Sequence, residues 1–202
     1  MLVNLKDILT DASKKRYAIP CINTPNEETV RAVIGAAEEL NVPVIIDHAQ
    51  VHDSLIPIER IGPVMLKYAR EASVPVCVHL DHGSDYTFLM RALRVGFPSI
   101  MYDCSALPFE ENAKRVKEFT EMAHKLGITV EAELGIMASA GEDTHSTDPE
   151  KRALTNEDIK KFFTDPDQAA KFADITGCDA LAVCFGTMHG IYLEEPVLDI
   201  DR

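Results

Sequence analysis

The sequence predicts a (β/α)8 barrel, of which about six βα units are present, forming one domain over residues 1–202. Three observations carry that reading. Short apolar runs alternate with segments of helical period, and the runs start near residues 17, 42, 74, 99, 128 and 179, so that all intervals but the last have the length of a βα unit. Each run ends in a polar residue or, for the sixth, is followed by one at His189, as expected of a barrel, which gathers its chemistry from the C-terminal ends of many strands. A doubly wound sheet would concentrate such residues at one switch point and would usually follow its first strand with a glycine-rich turn, whereas no G-x-G occurs in the chain.

The predicted strands are Tyr17–Asn23 (YAIPCIN), Val42–Asp47 (VPVIID), Val74–Asp81 (VPVCVHLD), Ser99–Asp103 (SIMYD), Ile128–Glu133 (ITVEAE) and Asp179–Phe185 (DALAVCF). Most are rich in valine and isoleucine, as strands covered on both faces should be. After the first, Thr24-Pro25-Asn26-Glu27 offers a capping box with proline at the first helical position, and Val30, Val33, Ile34, Ala37 and Leu40 recur at helical spacing. A second helix follows Pro108, runs from about Glu110 to Leu126 and stops at Gly127. Another begins at Asp165-Pro166-Asp167-Gln168 and ends at Gly177. The long last interval holds a polar loop, Ile136–Arg152, and a short helix near Thr155–Phe163. A full barrel has eight strands, so two units are expected to be missing from these residues.

Composition excludes several classes of function. With 20 basic and 33 acidic side chains the net charge is −13, which leaves no basic face for a phosphate backbone and makes nucleic acid an unexpected partner. No apolar run is long enough to span a membrane, and the N-terminal segment interleaves charged with apolar residues, unlike a signal peptide; the chain is expected to be cytoplasmic. Cys21, Cys77, Cys104, Cys178 and Cys184 are odd in number and never spaced C-x-x-C, which indicates reduced core residues and no cysteine zinc site.

The residues able to do chemistry fall at strand ends. In His79-Leu80-Asp81-His82-Gly83, alternation puts His79 and Asp81 on one face and His82 at the mouth, a pairing that suits a metal ligand beside a general acid/base. The same five residues also read as a helix cap (Asp81) and an ordinary loop histidine. In Gly186-Thr187-Met188-His189-Gly190, glycines flank a histidine that could reach the same metal, and free amides there could hold a phosphate; the alternative is a plain turn. Glu131 and Glu133 share one face of an otherwise apolar strand, which calls for a metal, a shared proton or a structural ion pair. Glu142 lies in the polar loop, where carboxylates are usually only solvated. No lysine falls within the six strands, so carbanion chemistry here would use a metal and not a Schiff base.

The HLDHG, VEAELG, LPFEEN, TDPDQAAKF and TGCDALAVCFGTMHGIY segments together resemble the class II, zinc-dependent ketose-bisphosphate aldolases, which cleave fructose or tagatose 1,6-bisphosphate. The resemblance runs from about residue 3 to the end and implies the barrel fold, glycolysis-like carbon metabolism, a sugar-phosphate substrate, and a homodimer or homotetramer. By similarity Asp81 would be the acid/base at the C4 hydroxyl, and His82 and His189 two of three zinc ligands. Asp103 and Glu133 would match a second metal site, for a divalent or monovalent cation. Glu142 would handle the proton at C3, Gly190 would hold a substrate phosphate, and Asn23 matches an active-site asparagine. The third zinc histidine of the family comes from a later HGGSG segment, and His48, His52 or His145 would be the internal replacements. Ala49-Gln50-Val51 stands where the family commonly has serine, glutamate and glycine, and Asp103-Cys104-Ser105-Ala106 where it reads DGSH. The expected reaction is aldol cleavage or condensation of a ketose phosphate giving dihydroxyacetone phosphate and an aldehyde. The rival readings are a non-catalytic aldolase-like subunit and a sugar-phosphate-binding module, inactive for want of the third ligand.

Overall fold

In the computed structural model, residues 1–137, 154–190, 192 and 194–202 are described. The elements are β1 (Leu2–Val3), α1 (Leu5–Lys15), β2 (Cys21–Asn23), α2 (Glu27–Leu40), β3 (Val44–Ala49), a 3-10 turn (Gln50–Ser54), α3 (Ile58–Glu71), β4 (Val76–Gly83), α4 (Tyr86–Val95), β5 (Ser99–Tyr102), α5 (Phe109–Lys125), β6 (Thr129–Leu134), α6 (Asn156–Ile159) running into a 3-10 turn (Lys160–Phe162), α7 (Pro166–Thr176) and β7 (Ala180–Val183). β2 to β7 form a parallel sheet in chain order, and β1 adds to the lower end of β4. Consecutive order with a helix between neighbouring strands is the winding of a (β/α)8 barrel, of which these strands form part.

Period-two alternation gives the sheet two unlike faces. Val44, Ile46, Val76, Val78, Leu80, Ile100, Val130 and Ala132 pack against Ile34, Ile61, Met65, Leu89, Val116 and Phe119 of the helices in one buried cluster. Each such side chain, fully buried, contributes about 1.5–3 kcal/mol. On the opposite face the register aligns Asp47 with His79, His79 with Ser99, and Glu131 with Ala180. The lower end of that face is closed by α1, whose Leu5 and Ile8 pack on Ile45 and Cys77.

Helix ends follow local chemistry. Asp165 accepts from the Gln168 amide, Pro166 opens α7 and Gly177 at φ 64° closes it, as the sequence predicts. The capping box of α2 is formed by Asn26 and Thr29, so the cap lies two residues later than expected and Pro25 precedes it. The first predicted strand is also shorter: Tyr17–Pro20 is irregular and pairing begins at Cys21. All five cysteines are free, but Cys21 is exposed and Cys178 only half-buried, which corrects the expectation that the cysteines are core residues.

Candidate active site

The geometry of the site begins with a bulge in β4. Leu80 pairs with Ile100 and Gly83 with Tyr102, so three steps along β4 oppose two along β5. The extra residue is His82, held in the left-handed region at φ 46°, a conformation that costs a non-glycine residue about 1–2 kcal/mol. It interrupts the alternation: Asp81 faces the mouth by ordinary period, and His82 joins it instead of pointing under the helices. Gly83 then faces the helices, where a Cβ would strike the Leu89 side chain and the Met101 carbonyl oxygen. The next helix is capped by Asp85, which accepts from the Thr87 amide, so Asp81 is not a helix cap.

Around His82 the predicted residues converge. Its Nδ1 lies 2.9 Å from Asp103 Oδ2 and its Nε2 3.9 Å from Asp81 Oδ1. The His189 ring stands 5.0 Å away, centroid to centroid. His82, Asp103 and Glu133 each present one donor atom, and the three lie within 4.8 Å of one another. With Ser105, Gly135, Met137 and His189 they line a cavity of about 300 Å³. One imidazole nitrogen and two carboxylate oxygens are a donor set that zinc accepts, and the His189 ring stands beside them. The residues therefore fit a metal ion.

Charge is arranged to keep the cluster coupled. The hydrogen bond to Asp103 raises His82 to about 9. Burial opposes ionisation of Asp103, but hydrogen bonds from His82 and Ser105 outweigh it and bring the carboxyl to about 2. Ser105 donates both its amide (3.0 Å) and its hydroxyl (2.7 Å) to Asp103 Oδ1. Burial raises both Asp81 and Glu133, the latter helped by Asp103. Ser105, which lines the cavity, is missed by the sequence reading, although an aspartate commonly accepts from its own backbone two residues on.

A second polar layer lies one step lower in the barrel. Cys21 donates its thiol to Asp47 Oδ2 at 2.9 Å, Ser99 and His79 are joined at 2.7 Å, and His79 Nε2 is 3.4 Å from Glu131. Burial is the main cause in each case: it lifts Asp47 and Glu131 to about 7 and drops His79 to about 3. Among the described residues Glu131 thus has a histidine partner and not the lysine or arginine of a structural ion pair.

Other predicted residues are placed differently. Asn23 ends β2 beside Asp47 in register and is exposed, and it does not line the cavity around His82; neither does Gly190, at φ 96° after the exposed His189. Glu142 and His145 lie outside the described residues. His48 is fully buried on the helix side of β3, away from His82, and is corrected as a possible third ligand. His52, in the 3-10 turn, is 6.1 Å from His48 ring to ring and is not among the donors that converge on His82.

The chain is similar to known proteins over its whole length. The Escherichia coli K12 protein YdjI, described as uncharacterized, is 40% identical over 202 residues, all of this chain and 68% of its own length. The crystal structure of the YdjI aldolase from Escherichia coli K12 superposes with a TM-score of 0.84 at 38% identity, over 100% of this chain and 67% of that one. A candidate fructose-1,6-biphosphate aldolase from Coccidioides immitis gives 0.80 at 32% identity, covering 98% and 67%. Fructose-bisphosphate aldolase from Campylobacter jejuni gives 0.71 at 23%, covering 97% and 61%, a likeness of fold. The chain thus spans about two thirds of the length of these relatives. The class-II fructose-bisphosphate aldolase family model matches residues 3–202, and the chain belongs to that family.

Proposed function

We propose that the protein is a zinc-dependent aldolase that cleaves or forms a ketose phosphate, with dihydroxyacetone phosphate and an aldehyde as the smaller partners. The observation that carries this reading is the convergence of His82, Asp103 and Glu133 donors within 4.8 Å, with Asp81 and His189 beside them. In this reading His82, His189, Asp103 and Glu133 hold the metal, with Asp103 and Glu133 also able to serve a second cation. A zinc ion bound there supplies a Lewis acid for the negative charge that develops as the carbon–carbon bond breaks.

The chain's own residues move the protons. In cleavage, the Asp81 carboxylate takes the proton of the C4 hydroxyl, the C3–C4 bond breaks, the C4 oxygen becomes the carbonyl of the aldehyde, and the electron pair remains on the three-carbon fragment. Burial makes Asp81 a stronger base than an exposed aspartate, which suits that step. Glu142 is the proposed donor of the proton that C3 then receives. Asn23 and the Gly190 backbone are the proposed substrate contacts, the latter for a phosphate.

The test is a panel of ketose mono- and bisphosphates assayed for cleavage before and after chelation. Activity should vanish with chelator and return with Zn²⁺, and fructose 1,6-bisphosphate should be a weaker substrate than another ketose phosphate, because Ala49, Gln50 and Cys104 replace residues common in the family. Activity indifferent to chelator, or a borohydride-trapped adduct, would overturn the metal reading.

A further inference from the structure

The bulge that turns His82 into the site is strained, and β4 itself offers little to hold it: the ladder to β5 shifts register between Leu80 and Gly83. Two tethers flank it. On one side the Asp103 amide donates to the Gly83 carbonyl at 3.0 Å. On the other, the side chain of Gln50 reaches across from the turn after β3, and its single Oε1 accepts from the Ser84 amide at 2.9 Å and the Asp85 amide at 3.1 Å. These amides belong to the residues that begin two positions after His82 and lead into α4, and backbone donors at a helix entry need such an acceptor. Gln50 follows Ala49, which is paired in register with Asp81, so the acceptor is anchored on the strand adjoining the bulge.

We propose that Gln50 is a positioning residue for the metal centre: by accepting two consecutive amides beyond Gly83 it holds the left-handed turn at His82 and so sets the affinity of the site for zinc. The proposal rests on His82 being a ligand. Gln50 touches none of the donors itself. Its effect passes through the backbone of residues 82–85, as outer partners of metal ligands commonly act through orientation. Glutamate at this position keeps the acceptor, whereas methionine keeps the length and apolar stem without it.

The experiment measures Zn²⁺ affinity by competition with a chromophoric chelator, and the visible spectrum of the Co²⁺-loaded protein, for the wild type, Gln50→Met, Gln50→Glu and His82→Ala, with amide hydrogen exchange at Ser84 and Asp85. Gln50→Met is expected to lose about tenfold in affinity, to alter the Co²⁺ bands and to speed exchange of both amides, while Gln50→Glu retains the wild-type behaviour in all three. Should Gln50→Met fail to fold, Gln50→Asn, which withdraws the acceptor by one methylene, makes the same comparison. If Gln50→Met binds zinc as the wild type does while His82→Ala binds weakly, the role of Gln50 is overturned and the metal centre stands. Equal weakening in Gln50→Met and Gln50→Glu also overturns it, since the acceptor is then irrelevant. Unchanged affinity in His82→Ala overturns the metal centre, and the role of Gln50 with it.

Discussion

Along β4, Val76, Val78 and Leu80 lie fully buried beneath the helices, while His79, Asp81 and His82 from the same eight residues face the barrel interior or its mouth. The first set has only apolar neighbours and needs no partner. The second is made of groups that burial penalises unless they are paired, and the structure sets His79 against Ser99 and Glu131, His82 against Asp103, and Asp81 3.9 Å from His82. One strand therefore carries stability on one face and reactivity on the other, and a substitution on either face should move one quantity and spare the other.

Substitution of Asp81 by alanine should give the largest effect, lowering kcat for aldol cleavage roughly a hundred- to ten-thousand-fold while the urea midpoint stays near the wild-type value; a loss of less than about fivefold would reduce Asp81 to an orienting group. On the other face, Leu80→Ala should cost about 2–5 kcal/mol in urea unfolding. Zinc affinity in that variant, measured at a temperature where it remains folded, should be unchanged, and a parallel fall would mean that the two faces are coupled.

A smaller effect tests the cost of burial on the interior side. The Asp47 carboxyl titrates near 7 in the folded protein against an ordinary 3.8, because burial disfavours its charge. A raised acid is most favourable to folding below its unfolded value, and that contribution is lost as pH rises from 3.8 toward about 7. The neutral isostere in Asp47→Asn should therefore raise stability by about 1–3 kcal/mol at pH 8 and leave it unchanged at pH 3. Urea midpoints at the two pH values decide it.

The smallest effect belongs to the surface. Arg91 on α4 bonds Asp53 at 2.9 Å and Glu59 at 2.7 Å, and its hydrogen bond holds Glu59 near 2. Here the sign is reversed: a depressed acid supports folding above its ordinary 4.5, and the support fades as pH falls toward about 2. Half-exposed pairs are screened by water, so Arg91→Met should cost no more than about 1 kcal/mol at pH 7. The difference from wild type should disappear near pH 2, and its persistence there would assign it to lost packing over Phe88, whose ring centroid lies 4.9 Å from the guanidinium carbon.

These contrasts also explain what can be read from the chain alone. Val44–Ile46, Val76–Val78 and Val130 are apolar, β-branched and bounded by turn residues, so their strands are legible, and alternation places His79 with Asp81 and Glu131 with Glu133 correctly. Leu2–Val3 is too short to show a period, and its pairing with Val76 and Cys77 depends on an edge that folding creates. Tyr17–Pro20 has the composition of a strand, yet Pro20 has no amide to donate to a ladder. The orientation of His82 is legible only as leaving the strand, because no residue type marks an added step. The tether made by Gln50 gives no signal, since the amides it holds lie 34 and 35 residues away.

That added step at His82 has a meaning for how such strands change over generations. In a regular ladder, neighbouring codons specify opposite sides of a wall, and a cavity can recruit only every other one. A single-residue insertion breaks that rule at one place, so Asp81 and His82 become adjacent in the gene and adjacent in the cavity at once. Removing either residue between Leu80 and Gly83 would restore the regular ladder: Gly83 would keep its place against Leu89, a single side chain would be left facing the mouth, and the cavity would lose its carboxylate or its imidazole through one event.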